Sequence, residues 1–259
     1  MELSRVFIRY RNPEQVIYYG DRTIDLFRII KGNPEKINSF ERESSERIFP
    51  PELKRDLIKT GTGIVLNSDH FVFNMLNFDK IPFRKKQKDD LVNWRVEKIF
   101  PENIHNYIHE YFQFDKNTIL SVLVRSDLIA ALEAEIKSFG IDLIYSGNST
   151  IEIINSLKKN KEQPDFFIEA DGRIMLAVFF KDGIPVYIRK MRSGRGADTG
   201  DEIHRTVEYV EKNYGYRPIS CSVFSKDESR ELVDTALSDL KVRLIGRDRS
   251  DMRFLPGVK

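Results

Sequence analysis

Three apolar runs follow one another between Asp165 and Arg192, separated by turn signals. The runs are Phe166 to Glu169, Ile174 to Phe180 and Val186 to Met191. Ala170-Asp171-Gly172 and Lys181-Asp182-Gly183 lie between them. Asp-Gly between β-rich runs is a strong hairpin signal, so this stretch predicts three consecutive antiparallel strands. The unbroken apolar character of Ile174 to Phe180 predicts a middle strand buried on both faces. The same pattern occurs earlier. Gln15 to Gly20 is a strand, Asp21-Arg22 turns, Thr23 to Lys31 is a second strand, Gly32 to Glu35 turns, and Lys36 to Glu43 is a third. Two meanders about one domain length apart, each followed by helix and strand, predict a duplicated α/β core.

Between the meanders, Pro51 to Lys59 predicts a short helix with Pro in its first turn. Gly63 to Asn67 and His70 to Asn77 read as strands. Lys80 to Lys88 is basic and reads as a solvated loop, with an anionic surface site as the other reading. Asp89 to Phe100 predicts a helix capped by Asp89 or Asp90, with Leu91, Val92, Trp94, Val96 and Ile99 as its apolar positions. Ile108 to Phe114 and Asn117 to Val124 are strands. Ser126 caps a helix on Leu128, Ile129, Leu132, Ile136 and Phe139 that ends at Gly140. Ile141 to Tyr145 is a strand, and Ser149 opens a helix carrying Ile151, Ile154 and Leu157. After the second meander, Ser193 to Gly200 is a connector; it precedes a helix, where phosphate can bind, but lacks the Gly-Lys-Ser/Thr ending of a phosphate loop. A helix from Asp201 to about Tyr214, a strand Pro218 to Phe224, a helix Asp227 to Leu240 and a strand Val242 to Ile245 complete the pattern.

Composition narrows the function. The chain has 259 residues, 41% of them hydrophobic, and a net charge of +2 from 42 basic and 40 acidic side chains. That balance gives no support to a nucleic-acid surface. The lone Cys221 fits a reducing compartment and reads as an inert core thiol. No apolar run nears the roughly 18 residues that cross a bilayer, and Met1 to Arg9 lacks a signal-peptide pattern, so the expectation is a cytoplasmic protein. His105 and His109 are spaced for a helical metal pair, but on a strand that spacing is about 13 Å. They read as surface histidines, with no metal site. Glu169 and Asp171 read as a strand end and a turn, or as a carboxylate pair. Trp94 reads as core, or as an anchor for a partner peptide.

The order of these elements resembles the actin-like ATPase superfold. Asp90-Leu-Val-Asn-Trp-Arg-Val-Glu-Lys-Ile-Phe-Pro101, Leu120 to Leu132 and Phe139 to Ile144 resemble the helix, strand and turn of the PilM family and its relative GspL. The resemblance implies an actin-like (duplicated ribonuclease H-like) α/β fold of two lobes. The first lobe would hold 5–78 and about 148–160, an inserted α/β subdomain 79–147, and the second lobe 161–259. The subdomain that encloses nucleotide in full-length relatives would be missing, since Arg189 to Gly200 leads straight into the next helix.

The family's nucleotide loops are altered here. Tyr18 stands where a metal-facing Asp is expected, and Asp25 where a Lys is expected. The degenerate site would comprise Gly20, Asp21, Arg22, Thr23, Glu169, Asp171 and Gly172, and Phe224 to Ser229 replaces a Gly-Gly adenosine loop. The resemblance then implies a non-catalytic scaffold of a type IV pilus or type II secretion platform, with bound ATP and magnesium disfavoured. The alternative is a working actin-like ATPase or kinase. The implied partners are inner-membrane platform proteins, an assembly ATPase and a second copy of the chain. The implied location is the cytoplasmic side of the inner membrane, reached through partners or through a segment after Lys259. The implied contact surfaces are a groove between first lobe and insert at Phe78, Leu91 and Trp94, and an edge strand with Val186 and Ile188.

Overall fold

The computed structural model describes residues 13–42, 48–59, 61–100, 103–159, 164–171, 174–192, 197–225 and 241–245, and Leu255. Both meanders form. β1 (Gln15–Tyr19), β2 (Thr23–Ile30) and β3 (Asn33–Glu41) are antiparallel. So are the later β9 (Phe166–Asp171), β10 (Ile174–Lys181) and β11 (Ile184–Arg192). The second hairpin of each meander turns through two residues of positive φ, Lys31-Gly32 and Asp182-Gly183, as a type I′ turn requires. In the first meander β3 therefore starts three residues before the expected Lys36, and Asn33 to Glu35 belong to the strand. Pro34 and Pro185 follow these turns on β3 and β11, which are edge strands, where a missing N–H costs no ladder bond.

Each meander continues into parallel strands. β4 (Thr62–Leu66) pairs with β1, and β8 (Leu143–Asn148) with β4, giving the order β3-β2-β1-β4-β8. In the second lobe β12 (Ser220–Ser225) pairs with β9 and β13 (Lys241–Ile245) with β12, giving β11-β10-β9-β12-β13. The two orders are the same. A third sheet, β5-β7-β6, is built from β5 (Phe71–Asn77), β6 (Tyr107–Gln113) and β7 (Thr118–Arg125). The inserted boundaries expected at 79 and 147 therefore shift: β5 hydrogen-bonds to β7 of the insert, and β8 belongs to the first lobe's sheet.

The helices are α1 (Leu53–Asp56), α2 (Lys85–Ile99), α3 (Ser126–Ser138), α4 (Ser149–Lys159) and α5 (Ala197–Tyr214). Four of them depart from the expected starts or caps. α1 is only the four residues Leu53–Asp56, starting two residues after Pro51 and ending three before Lys59. α2 begins four residues before Asp89, with Arg84 at its N-cap and no side-chain cap; Asp89 instead accepts from the Tyr111 hydroxyl at 2.6 Å. α3 is not capped by Ser126, whose hydroxyl donates to the Asn106 carbonyl, while Asp127 accepts from the Leu128 amide. α5 starts at Ala197 rather than Asp201, so only 193–196 separate it from β11. Gly140 does follow α3, with φ 76°. The helix expected over 227–240 lies outside the described residues.

Strand alternation divides the core into layers. On β1, Ile17 and Tyr19 face a cluster shared with the insert and α3, while Val16 and Tyr18 face the second lobe. On the second sheet, Phe167, Leu176, Val178 and Phe224 point to that same interlobe layer, joined by Ile153, Ile154 and Leu157 of α4. Phe166, Ile168, Ala177 and Cys221 face the other way, towards Ile203 and Val210 of α5. The insert's sheet is likewise two-sided. Phe71, Leu120, Val122 and Val124 face the first lobe, and Leu76, Ile119 and Leu123 face Val92 and Val96 of α2.

Candidate functional site

The interlobe layer ends in a polar centre. Glu169 lies on β9 with the parity of Phe167, so its side chain points between the lobes, where it is 2% exposed. Three residues surround it with donors. The hydroxyls of Ser149 and Thr150, at the start of α4, both donate to it. Ser68, in a short 3-10 turn (Ser68–His70) between β4 and β5, donates its hydroxyl and also its amide, the latter at 3.4 Å. The Ser68 and Thr150 hydroxyls are themselves 2.5 Å apart. A helix N-terminus favours an anion because its first amides are unpaired and its dipole is positive there. Here the chain itself supplies an acid to the hydroxyls at the start of α4, while the Ile151 amide donates to the Asn148 side chain.

A second tie runs beside it. Lys190 of β11 donates to the Asp69 carbonyl at 2.6 Å and to the Phe71 carbonyl at 3.3 Å, and its ammonium lies 3.3 Å from the Asp69 carboxylate. The turn Ser68–His70 is thus held to the second lobe from two strands. On the first-lobe side, Gly20 closes the β1–β2 turn by donating to the Thr23 carbonyl. Arg42 donates to the Gly20 carbonyl at 2.8 Å and places its guanidinium 4.5 Å from the centre of the Tyr19 ring. The His70 ring lies 5.3 Å from that ring. Burial, reinforced by Arg42, lowers the His70 pKa to about 4. His70 Nε2 is buried without a hydrogen-bond partner among the described residues.

The residues singled out from sequence do not all meet at this centre. Gly20, Asp21, Arg22 and Thr23 form the β1–β2 turn, with Gly20 buried and Arg22 exposed. Tyr18 is fully buried in the interlobe layer, its ring centre 6.1 Å from that of Phe224. Asp25, next to it on β2, accepts from Ser39 at 2.5 Å and pairs with Lys36 at 2.9 Å, both from its own lobe. Asp171 ends β9; its side chain, and Gly172, lie outside the described residues. So does the expected adenosine loop from residue 226 onward. Ser68, Ser149, Thr150, Arg42, His70 and Lys190 were not among the expected site residues.

The expected groove is not where Trp94 is. Phe78 packs with Leu76, Ile81 and Val92 on the face of the insert turned away from the first lobe, and Leu91 is half-buried on α2. Trp94 is 52% exposed, so it is not core. The recess that does open between insert and lobes is small, with a cavity volume of about 40 Å³, and is lined by Met75, Phe112 and Phe114, by Ile151 and Ile154 of α4, and by Ile188 of β11. Ile188 therefore faces the insert, whereas Val186 packs towards α5. His109 is also not a surface residue. It bridges Asn93 (3.1 Å) and Ser121 (3.0 Å), and burial lowers its pKa to about 4. Burial pushes the Cys221 thiol pKa up.

No family model and no curated protein matches the chain. Solved structures do. A PilM–PilN type IV pilus biogenesis complex aligns over 88% of this chain and 87% of that one, with a TM-score of 0.61 and 13% identity. The cytoplasmic domain of EpsL, an inner membrane component of the type II secretion system of Vibrio cholerae, aligns over 93% and 92%, with a TM-score of 0.60 and 11% identity. A Bacteroides thetaiotaomicron protein described as having an actin-like ATPase fold and unknown function aligns over 98% of both chains, with a TM-score of 0.60 and 10% identity. The fold is actin-like. The PilM/GspL resemblance seen in Asp90 to Pro101, Leu120 to Leu132 and Phe139 to Ile144 holds at the level of the fold, with the short form of the second lobe: four residues between β11 and α5 leave no room for an enclosing subdomain. Among the described residues, no helix is long and apolar enough to cross a membrane.

Proposed function

We propose that this chain is a non-catalytic scaffold of an inner-membrane assembly platform of the type IV pilus or type II secretion kind. It joins membrane-platform proteins to an assembly ATPase. The observation that carries this reading is the Glu169 centre. The anion-binding end of α4 is already filled by a carboxylate from the opposite lobe, held by Ser68, Ser149 and Thr150. A phosphate there would meet that negative charge. Around it, Tyr18 packs on Phe224 instead of presenting a metal ligand, and Asp25 is engaged by Lys36. The residues present fit a magnesium nucleotide poorly.

Function then comes from surfaces. The structural neighbours are a PilM complex with PilN and a secretion-system membrane component. By that likeness, the recess at Met75, Phe112 and Ile188 takes apolar side chains of a membrane partner's cytoplasmic segment. The test of the catalytic half is a titration of the full chain with Mg·ATP. A ligand at 100-fold its Kd stabilises the native state by about 2.7 kcal/mol. We expect no rise in melting temperature at millimolar nucleotide and no phosphate release above buffer. A dose-dependent rise, with turnover lost in Glu169→Ala, would replace the scaffold by an ATPase or kinase.

A further inference from the structure

The basic stretch into α2 serves neither the Glu169 centre nor the interlobe recess. Residues 80–99 carry seven basic and three acidic side chains, a net +4 against +2 for the whole chain. The charges are sorted around the helix. Lys88, Leu91, Arg95 and Lys98 recur at the three- and four-residue spacing that lines one flank, and Arg84 heads it at the N-cap. Asp90 and Glu97 fall on the other flank, and Asp89 is turned to the Tyr111 hydroxyl. Arg84, Arg95 and Lys98 have no ion-pair partner among the described residues; Lys88 donates to Gln113.

The apolar groups on this side are large. Val92 and Val96 bury one face of α2 against the insert's sheet. Trp94, two residues on from Val92, is carried about half a turn round to the opposite side and is 52% exposed. Just ahead of the helix, Phe83 is 97% exposed, although its neighbour Ile81 is buried. An aromatic ring standing almost free in water beside Lys85 and Lys86 has no fold-stabilising role.

We propose that α2 and the segment leading into it, 80–99, form an interfacial patch that seats this chain on an anionic membrane surface, with Phe83 and Trp94 entering the headgroup layer and Arg84, Lys88, Arg95 and Lys98 pairing with lipid phosphates. The arrangement around Trp94 selects a lipid surface over an acidic peptide. Trp94 is exposed with Arg95 and Lys98 on one side of it, and Asp90 and Glu97, four residues before and three after it, on the other. Exposed Trp bordered by Lys and Arg is the pattern of interfacial helices, whose binding adds buried apolar area to attraction by anionic lipid. The patch is independent of the scaffold reading, since it needs neither the recess nor the Glu169 centre.

Trp94 is the chain's one tryptophan, so its fluorescence reports the patch directly. The full chain is mixed with vesicles of phosphatidylcholine alone or with about one-third phosphatidylglycerol, in about 0.05 M salt. We expect a blue shift and co-flotation with the anionic vesicles only. Raising salt to about 0.5 M should reverse both, because the screening length falls to a few ångströms. Arg95→Glu with Lys98→Glu should lower the partition coefficient by at least about ten-fold. These side chains are exposed, so the variant should melt with the parent chain, which confirms that it is folded. Phe83→Ser should weaken flotation without changing the salt dependence. No shift on anionic vesicles, an equal shift on neutral ones, or a shift with soluble polyglutamate but no flotation overturns the proposal, the last in favour of an acidic peptide.

Discussion

The two lobes share a strand order, and each carries one buried acid at the same rung of its first hairpin. Counting back from the turn, Tyr18 pairs with Asp25 in the first lobe and Glu169 with Leu176 in the second. The acid sits on the second strand in one lobe and on the first strand in the other. Asp25 is satisfied at home, by Ser39 and by a Lys36 that remains 41% exposed. Glu169 is satisfied abroad, by hydroxyls from a first-lobe turn and from the helix between the lobes. The topology is duplicated; the electrostatics are not. A polar group satisfied within its own sheet only stabilises that sheet. One satisfied across the layer couples the lobes, and in this chain that coupling occupies the anion-binding end of α4.

The largest effect should come from removing the coupling acid. Glu169→Ala leaves Ser68, Ser149 and Thr150 buried without their acceptor and the start of α4 without its anion. Each hydrogen bond to a charged group is worth about 1.5–3 kcal/mol, and stranded buried donors add to the loss. We expect a loss of about 3 kcal/mol or more, read from the urea midpoint, and faster amide exchange in both Ser68–His70 and α4. A loss confined to one lobe would break the idea that Glu169 joins them.

His70 sits in the same turn and should make the junction acid-sensitive. Its pKa is lowered in the folded chain, to about 4, so the unfolded chain binds the proton first. Stability from its neutral form is complete above the ordinary value near 6.5 and is lost as pH falls towards 4. Between neutrality and about pH 5 the loss should be about 2 kcal/mol. His109 in the insert should add a similar amount in the same window. The urea midpoint at the two pH values checks this. His70→Phe, which keeps a ring against Tyr19, should remove roughly half of the histidine-linked drop.

Sequence patterning carried the meanders well because Asp-Gly turns and strand alternation are local. It misplaced the first lobe's second turn because Lys31 adopts a positive φ that no motif announced. On α2 it merged two stripes into one: Val92 and Val96 are neighbours on a helix face, but Trp94 lies across from them. Glu169 was visible as a candidate, yet its partners were not. Ser68 is 101 positions away and Ser149 is 20 away. A serine at a helix start or in an Asn-Ser-Asp turn predicts a local cap, and nothing in the spacing says that both hydroxyls serve a distant carboxylate. His109 was misread for the same reason, since Asn93 and Ser121 reach it only through the packing of α2 and β7.

A smaller effect tests the acid that stays at home. Asp25→Ala releases Lys36 and Ser39, both near water, so neither is left stranded. We expect a loss of about 1 kcal/mol, with no change in exchange at Ser68–His70. A loss as large as that of Glu169→Ala would mean that burial alone sets the cost, and that crossing between lobes adds nothing.

The smallest effect should come from the second interlobe tie. Lys190 bonds to carbonyls of Asp69 and Phe71 and pairs with the Asp69 carboxylate, but both side chains are 31% exposed. Water can replace the ammonium at each carbonyl, and surface ion pairs are worth about 0–1 kcal/mol. Lys190→Met keeps most of the aliphatic stem while removing the charge, so its cost should stay below about 1 kcal/mol. It also isolates the carboxylate clasp. With Lys190 gone, Ser68–His70 is held to the second lobe through Glu169, and a double-mutant cycle of Lys190→Met with Glu169→Gln measures whether the two ties act together. Independent ties add within about 0.5 kcal/mol. A coupling above that would mean that the turn is ordered by the pair, so that the exposed lysine tunes a junction whose strength resides in the buried acid.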